Sequence, residues 1–503
     1  MVLSRRDFLK TALIATGLPY RAAKPLSAIP WVQNLCRGRA SIVWKSSADE
    51  PGAVEFSEDL SFSSRVVALR RELLPQETGL PDPFYLYRAD LENLRPSTDY
   101  HYRVFMNGAL STGADGIRIR TGGAAAFDFV VFGDCGLGTS EQYYIAQRML
   151  GENAALALIT GDVVYMSGSY AEYEERFFPY YSDMMRRVPF FPSPGNHDYN
   201  TQNLRPYLTL HALPIEDVPL PEQGRYYSFD WGNVHFVSLD TNTPLLDAIS
   251  GRGKMLEWLE QDLEKSDHFW RVVYFHHPPY TWGIHDRDPT VGLVRDYIVP
   301  ILDRYRVDLV FPGHEHSYQR TVPMRGGKEV APGQGIVYVI TGGGGANLYP
   351  VFKTPGLAYG ETAYHYVRAE NRGTHMTVRA IRIDGKEIDV FTLTPPPAIC
   401  SSSLSPWDAN RTLEWDRPVV AIYGRHLASD KRQATELPLP RSLSGTRVTF
   451  FGRPLPLLSV SDAKIEVQLP HLRQWAHLRV ETPNGSAETD VVFSEQPGDR
   501  ICQ

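Results

Sequence analysis

Five short polar segments, each directly following an apolar run, constrain this chain more than anything else in it. They are Gly133-Asp134-Cys135-Gly136, Gly161-Asp162-Val163-Val164-Tyr165, Gly195-Asn196-His197-Asp198, Val273-Tyr274-Phe275-His276 and Gly313-His314-Glu315-His316. Runs such as Phe129–Phe132, Ala157–Thr160, Val272–Phe275 and Leu309–Phe311 read as strands buried on both faces. Between them lie segments of helical period, for example Met255–Leu263. This alternation predicts an α/β domain over residues 125–395. Ligands of open α/β sheets sit beyond the carboxyl ends of the strands, so carboxylate, amide and imidazole groups on five such loops can converge on one spot. Asp134 and Asp162 lie 28 positions apart, near the length of one βαβ unit, which puts both on the same sheet edge.

Taken singly the segments say little. A Gly-Asp pair at a strand end is commonly a turn whose aspartate bonds its own backbone. Asn196 and His197 together after an apolar strand have no packing purpose, and His314 and His316 are two imidazoles able to face one region. Of the 15 histidines, His101, His211, His235, His268, His365, His375, His426, His471 and His477 read as satisfied structural residues. The ordered set of five is what carries chemistry.

That set resembles the metallophosphoesterase superfamily. Asp134-x-Gly136 with Asp162-x-x-Tyr165 is similar to its purple acid phosphatase branch, as are the runs at 227–236 and 338–346. The superfamily's cyclic-nucleotide phosphodiesterases usually carry His where Gly136 stands, and they lack the tyrosine. The resemblance spans residues 30–395 and implies two metal ions. One would be held by Asp134, Asp162, Tyr165 and His316, the other by Asp162, Asn196, His276 and His314, with Asp162 bridging. A phenolate and two carboxylates are hard donors suited to Fe³⁺, whereas an amide and two imidazoles suit Zn²⁺, Mn²⁺ or Fe²⁺. The implied activity is acid-phosphatase-like hydrolysis of phosphate esters, with hydroxide generated from metal-bound water. Asn196 and His197 would bind substrate, His197 as a charge partner of the phosphoryl group. His285, nine positions beyond His276, is the candidate leaving-group acid. A broad phosphodiesterase or alkaline phosphatase of the same fold is the alternative, as is a secreted binding protein with a relic site. An intact ligand set speaks against a relic.

The sequence departs from the family pattern in places. Cys135 reads as a small buried thiol pointing away from the site. His277 is either a neighbour supporting the site or structural. Where plant and animal members place a histidine pair, the chain has His285-Asp286, and Asp286 would repel highly anionic substrates or orient His285. Glu315 and Arg320 are at least as well read as a surface salt bridge.

The flanks differ from the centre. Arg5-Arg6-Asp7-Phe8-Leu9-Lys10, a short apolar stretch and Leu26-Ser27-Ala28 resemble a twin-arginine export signal over residues 1–28, and so imply a periplasmic or secreted protein. Residues 29–122 alternate in short runs such as Ser41–Trp44 and Tyr100–Val104, and are similar to fibronectin-III-like β-sandwiches. Residues 396–503 alternate again and resemble immunoglobulin-like IPT/TIG modules, usually spacers or contacts to another protein or surface. The expected architecture is thus a central α/β sandwich flanked by two β-sandwiches. A formal charge of −7 gives no nucleic-acid footprint, and no apolar run of about 18 residues or more would span a membrane. An oxidising compartment would permit Cys400 and Cys502 to pair; Cys36 has no evident partner.

Overall fold

The computed structural model describes residues 30–352, 355–406, 419–469 and 475–492. The expected export signal at 1–28, His471 and Cys502, and with Cys502 any pairing to Cys400, lie outside the described residues.

From Trp31 to Arg120 the chain forms two antiparallel sheets. One contains Trp31–Cys36, Arg39–Ser46, Phe84–Leu91 and Leu69–Leu73, and the other is built around Gly52–Ser57 and Asp99–Met106. Every second residue of Asp99–Met106 is buried, the period-2 pattern of a strand covered on one face. Trp44 stacks on Tyr87 at 5.1 Å inside this unit. The unit also packs against the central domain: Trp31 meets Phe178 at 5.0 Å, and the amide of Gln33 reaches Nδ1 of His211 at 3.0 Å.

The centre is a sandwich of two sheets. Its strands are β1 (Ala126–Phe132), β2 (Leu156–Ile159), β3 (Phe190–Pro192), β4 (Tyr227–Trp231), β5 (Val234–Ser238), β6 (Trp270–Phe275), β7 (Leu309–Pro312), β8 (Tyr318–Thr321), β9 (Val337–Thr341), β10 (Leu357–Glu361), β11 (His365–Arg372), β12 (Met376–Arg382) and β13 (Glu387–Leu393). The first sheet runs β3-β2-β1-β11-β12-β13 and the second β4-β5-β6-β7-β9-β8-β10. Pairing is parallel from β1 through β3 and from β5 through β7 and β9. Aromatic rings hold the sheets face to face: Phe129 of β1 meets Phe236 of β5 edge-on at 5.2 Å, and Phe191 of β3 stacks on Phe229 of β4 at 3.9 Å. β2, β6 and β7 are buried at every position, which is why they read as unbroken apolar runs rather than alternating ones. The helix Met255–Lys265 buries Met255, Trp258, Leu259 and Leu263, one stripe at spacings of three and four. The five polar segments therefore leave two sheets, three from the first and two from the second, and not one open sheet.

Beyond Ala398 the described residues form two antiparallel sheets with a separate core that includes Val420, Ile422, Val448, Leu457, Val467 and Leu478. This unit is pinned to the start of β6. Arg425, itself paired with buried Asp462, donates to the carbonyls of His268 at 2.7 Å and Phe269 at 3.1 Å, while His426 lies 2.8 Å from Asp308. No helix among the described residues is long and apolar enough to cross a membrane.

Candidate metal centre

Strand register sets the site. β1 and β2 end in step, with Phe132 opposite Ile159, so Asp134 and Asp162 leave adjacent strand ends. The amide of Asp134 donates to Gly161 O at 3.1 Å and that of Cys135 to Asp162 O at 3.3 Å. In the second sheet Phe275 stands opposite Pro312 and Gly313 N bonds His276 O at 2.9 Å, which brings His276 beside the His314 loop. The sheets are then stitched together: the amide of His314 donates to Asp134 Oδ2 at 3.0 Å, and His276 Nδ1 lies 2.9 Å from Thr160 O.

The backbone is bent to achieve this. Asp134, Asp162 and His314 have φ of 54°, 48° and 67°, left-handed conformations that cost a non-glycine residue about 1–3 kcal/mol each and cluster at functional sites. The glycines beside them permit close approach. A Cβ on Gly161 would stand 2.4 Å from His276 Nδ1, and one on Gly195 would stand 2.1 Å from Asp162 Oδ1.

All seven candidate ligands come together. Tyr165 Oη donates to Asp134 Oδ1 at 2.9 Å and lies 3.1 Å from His316 Nε2, which is itself 3.2 Å from that carboxylate. His276 Nε2 lies 3.0 Å from Asn196 Oδ1, 3.2 Å from His314 Nδ1 and 3.4 Å from Asp162 Oδ2. Asp162 stands against both groups: Asp134, Asp162 and His276 present atoms within 4.8 Å of one another, and Tyr165 feels both carboxylates. Asp134, Asp162, Tyr165, His276, His314 and His316 are buried, whereas Asn196, His197 and His285 are half-buried and mark the open side.

The histidines are prepared for cations. Each holds an outward acceptor with one ring nitrogen: His276 Nδ1 on Thr160 O at 2.9 Å, His314 Nε2 on Asp288 Oδ2 at 3.2 Å, and His316 Nδ1 on Asn347 O at 2.6 Å. The second nitrogen of each ring faces the cluster: His276 Nε2 toward Asn196 and Asp162, His314 Nδ1 toward His276, and His316 Nε2 toward Tyr165 and Asp134, where a metal ion would take their lone pairs. Electrostatics point the same way. Among the described residues no lysine or arginine bonds or pairs with any of the seven side chains. Burial disfavours the imidazolium of His276, yet Asp162 outweighs it and lifts the ring to about 10. Burial, then the carboxylates of Asp134 and Asp162, hold the Tyr165 phenol well above its usual 10. Two buried carboxylates with no lysine or arginine bonded to them among the described residues, seven convergent donors and a phenol that only a strong cation could ionise fit metal ions.

The surroundings correct several expectations. Glu315 is fully buried and forms no surface salt bridge. Its carboxylate accepts from the amides of Ile284 at 3.2 Å and His285 at 3.1 Å, and from His285 Nδ1 at 3.2 Å. Arg320 instead pairs with Asp389 at 2.6 Å. Glu315, and not the exposed Asp286, therefore orients His285, whose ring centre lies 4.3 Å from that of His314. His277 sits beside His314 at 4.6 Å with Nδ1 on Thr241 at 2.8 Å. Cys135 is a buried thiol 3.5 Å from Val163 O, pushed above its usual range by burial. Three contributors escaped the sequence reading: Asp288; Tyr349, stacked on His316 at 4.2 Å; and Asp198, which accepts the amides of Gly195 at 2.8 Å and Val163 at 3.1 Å. Only Asp198 carried a signal, as the fourth residue of Gly-Asn-His-Asp.

Comparison with known proteins decides the class. The family model described as calcineurin-like phosphoesterase matches residues 127–318. Residues 127–318 are a calcineurin-like phosphoesterase domain. This phosphoesterase domain, with the β-rich regions around it, extends its likeness to purple acid phosphatases. Acid phosphatase type 7 of Mus musculus is 26% identical over 401 residues, covering 71% of this chain and 88% of that protein. Purple acid phosphatase 23 of Arabidopsis thaliana is 27% identical over 46% of this chain and 56% of its own length. Among solved structures, a purple acid phosphatase from yellow lupin seeds superposes with a TM-score of 0.64 at 18% identity, covering 74% of this chain and 75% of that one. The domain is that of a phosphoric ester hydrolase.

Proposed function

We propose that the protein is an exported phosphoesterase of purple acid phosphatase type, with two metal ions held by the seven converging side chains. The observation that carries this is the set of three imidazoles, each tied outward through one nitrogen and open inward through the other, around two buried carboxylates and a phenol. Asp134, Tyr165 and His316 would hold Fe³⁺ and Asn196, His276 and His314 a divalent ion, with Asp162 shared. When bound, such a pair supplies positive charge to the phosphoryl oxygens and acidifies an attacking water.

The chain's own groups do the rest. The amide of His197 donates to Asp162 Oδ1 at 2.9 Å and fixes that carboxylate. The His197 ring lies 4.6 Å from Tyr165 and uses Nδ1 on Met166 O at 2.7 Å, so it can donate to a phosphoryl oxygen from Nε2 only as imidazolium. His285 keeps Nδ1 on Glu315 at 3.2 Å, which fixes the ring's orientation and leaves Nε2 free. Its Nε2 can then deliver a proton to the departing alkoxide.

The purified protein should hydrolyse an aryl phosphate monoester faster than the matching diester at acidic pH, and lose activity on chelation and regain it with metal. A diester preference with an alkaline optimum would favour the phosphodiesterase alternative, and no hydrolysis with metal bound would leave a binding protein.

Export is part of the proposal and rests on the arginine pair. Replacing Arg5 and Arg6 by Lys should leave uncleaved precursor in the cytoplasm, because guanidinium groups and ammonium groups are not interchangeable in recognition. Unchanged yield outside the cytoplasm would contradict it.

A further inference from the structure

Large apolar side chains stand exposed beside the site on three separate loops. Met166 follows the candidate ligand Tyr165 and is 58% exposed, Ile284 precedes His285 and is 49% exposed, and Phe352 is 53% exposed. The loops are joined at the mouth of the site. Tyr349 N bonds His316 O at 3.0 Å, the Tyr349 ring lies 5.2 Å from His285, and Phe352 N bonds Trp282 O at 2.7 Å. Main-chain bonding thus carries the segment 349–352 from the His316 loop to the His285 loop, so Tyr349 and Phe352 border the same opening as Ile284. Met166 adjoins the His197 side of the site, where its carbonyl receives His197 Nδ1 at 2.7 Å.

A single exposed apolar residue needs no explanation, but a cluster of them at the rim of a polar centre marks a binding surface. Among the described residues none of the nine candidate site side chains bonds an arginine or lysine; on the His285 loop the exposed Arg287 stands between Asp286 and Asp288, and Asp288 is itself held by His314. The apolar side chains of this rim offer most to a hydrocarbon.

We infer that the site selects phosphate esters of apolar alcohols, with the ester's hydrocarbon lying against Met166, Ile284, Tyr349 and Phe352. This rests on the proposed phosphoesterase activity of the same site. Each methylene covered gains roughly a fourfold advantage. Straight-chain alkyl phosphates test this cleanly, because lengthening the chain beyond ethyl hardly alters the leaving group.

From ethyl to octyl phosphate, kcat/KM should climb by up to roughly fourfold per methylene. The affinity of the metal-loaded protein for the corresponding alkylphosphonates, measured by calorimetry, should climb in step. In Met166→Ser with Phe352→Ser both slopes should shrink. A flat series in kinetics and calorimetry, or a nucleoside triphosphate preferred to octyl phosphate, would overturn the inference. Failure to hydrolyse any ester would instead strike the phosphoesterase reading, and the phosphonate series would still show whether the apolar wall binds hydrocarbon.

Discussion

Asp162→Asn is expected to lower hydrolysis of an aryl phosphate by about 10³-fold or more, the several kcal/mol by which paired cations stabilise a phosphoryl transition state. Asn preserves the shape of the side chain and can keep one oxygen on the amide of His197, now 2.9 Å from Asp162 Oδ1, so the loop should survive. What it loses is the charge, and with it the carboxylate that stands 3.4 Å from His276 and also acts on Tyr165. Metal content should fall at both positions, whereas Asn196→Ala, which touches only the His276 half, should mainly deplete the second. Kinetics and elemental analysis on the same preparations check both statements. Near-normal activity in Asp162→Asn would rule out the shared carboxylate.

His285→Ala should slow hydrolysis of an alkyl phosphate by about 10²–10⁴-fold, the range of general acid catalysis. The loss on an aryl phosphate should be much smaller, because a phenolate departs with little help from a proton. Glu315→Gln should follow the same pattern more weakly, since it leaves His285 in place but weakens the hydrogen bond, now 3.2 Å, by which Glu315 orients its ring through Nδ1. Glu315 also anchors the amides of Ile284 and His285, and a purely structural role would depress both substrates alike. The ratio of alkyl to aryl rates therefore separates proton delivery from loop support. An equal loss on both substrates in His285→Ala would assign that ring to binding.

Much of the centre could be read from the sequence, because it is written in local features. β2, β6 and β7 are buried on both faces and appear as continuous apolar runs, and the helix Met255–Lys265 shows its stripe in the spacing of Met255, Trp258, Leu259 and Leu263. The glycines before Asp134, Asp162 and Asn196 mark points where another side chain must come close. What could not be read depends on approach between distant segments. Glu315 looks like an ordinary surface glutamate until its loop folds over 281–285, where a Cβ on Gly283 would lie 2.0 Å from the Glu315 carboxyl carbon. Asp288 and Tyr349 belong to no periodic pattern, and their roles arise only where they meet His314 and His316. Division of the five loops between two sheets was equally hidden, since parallel pairing in either sheet leaves the same apolar signature in the chain.

The central claim is two ions sharing Asp162, one of them ferric and bound to Tyr165. Elemental analysis of the natively purified protein, taken with its visible spectrum and that of Tyr165→Phe, tests it most directly. Burial and two carboxylates hold the Tyr165 phenol protonated in the absence of a cation, so its ionisation reports a strongly charged metal in contact. The expected result is two metals per chain, one of them iron, a violet or pink wild type, and loss of the visible band in Tyr165→Phe with some hydrolysis retained. A fully active protein with one metal, or a visible band that survives Tyr165→Phe, would contradict it.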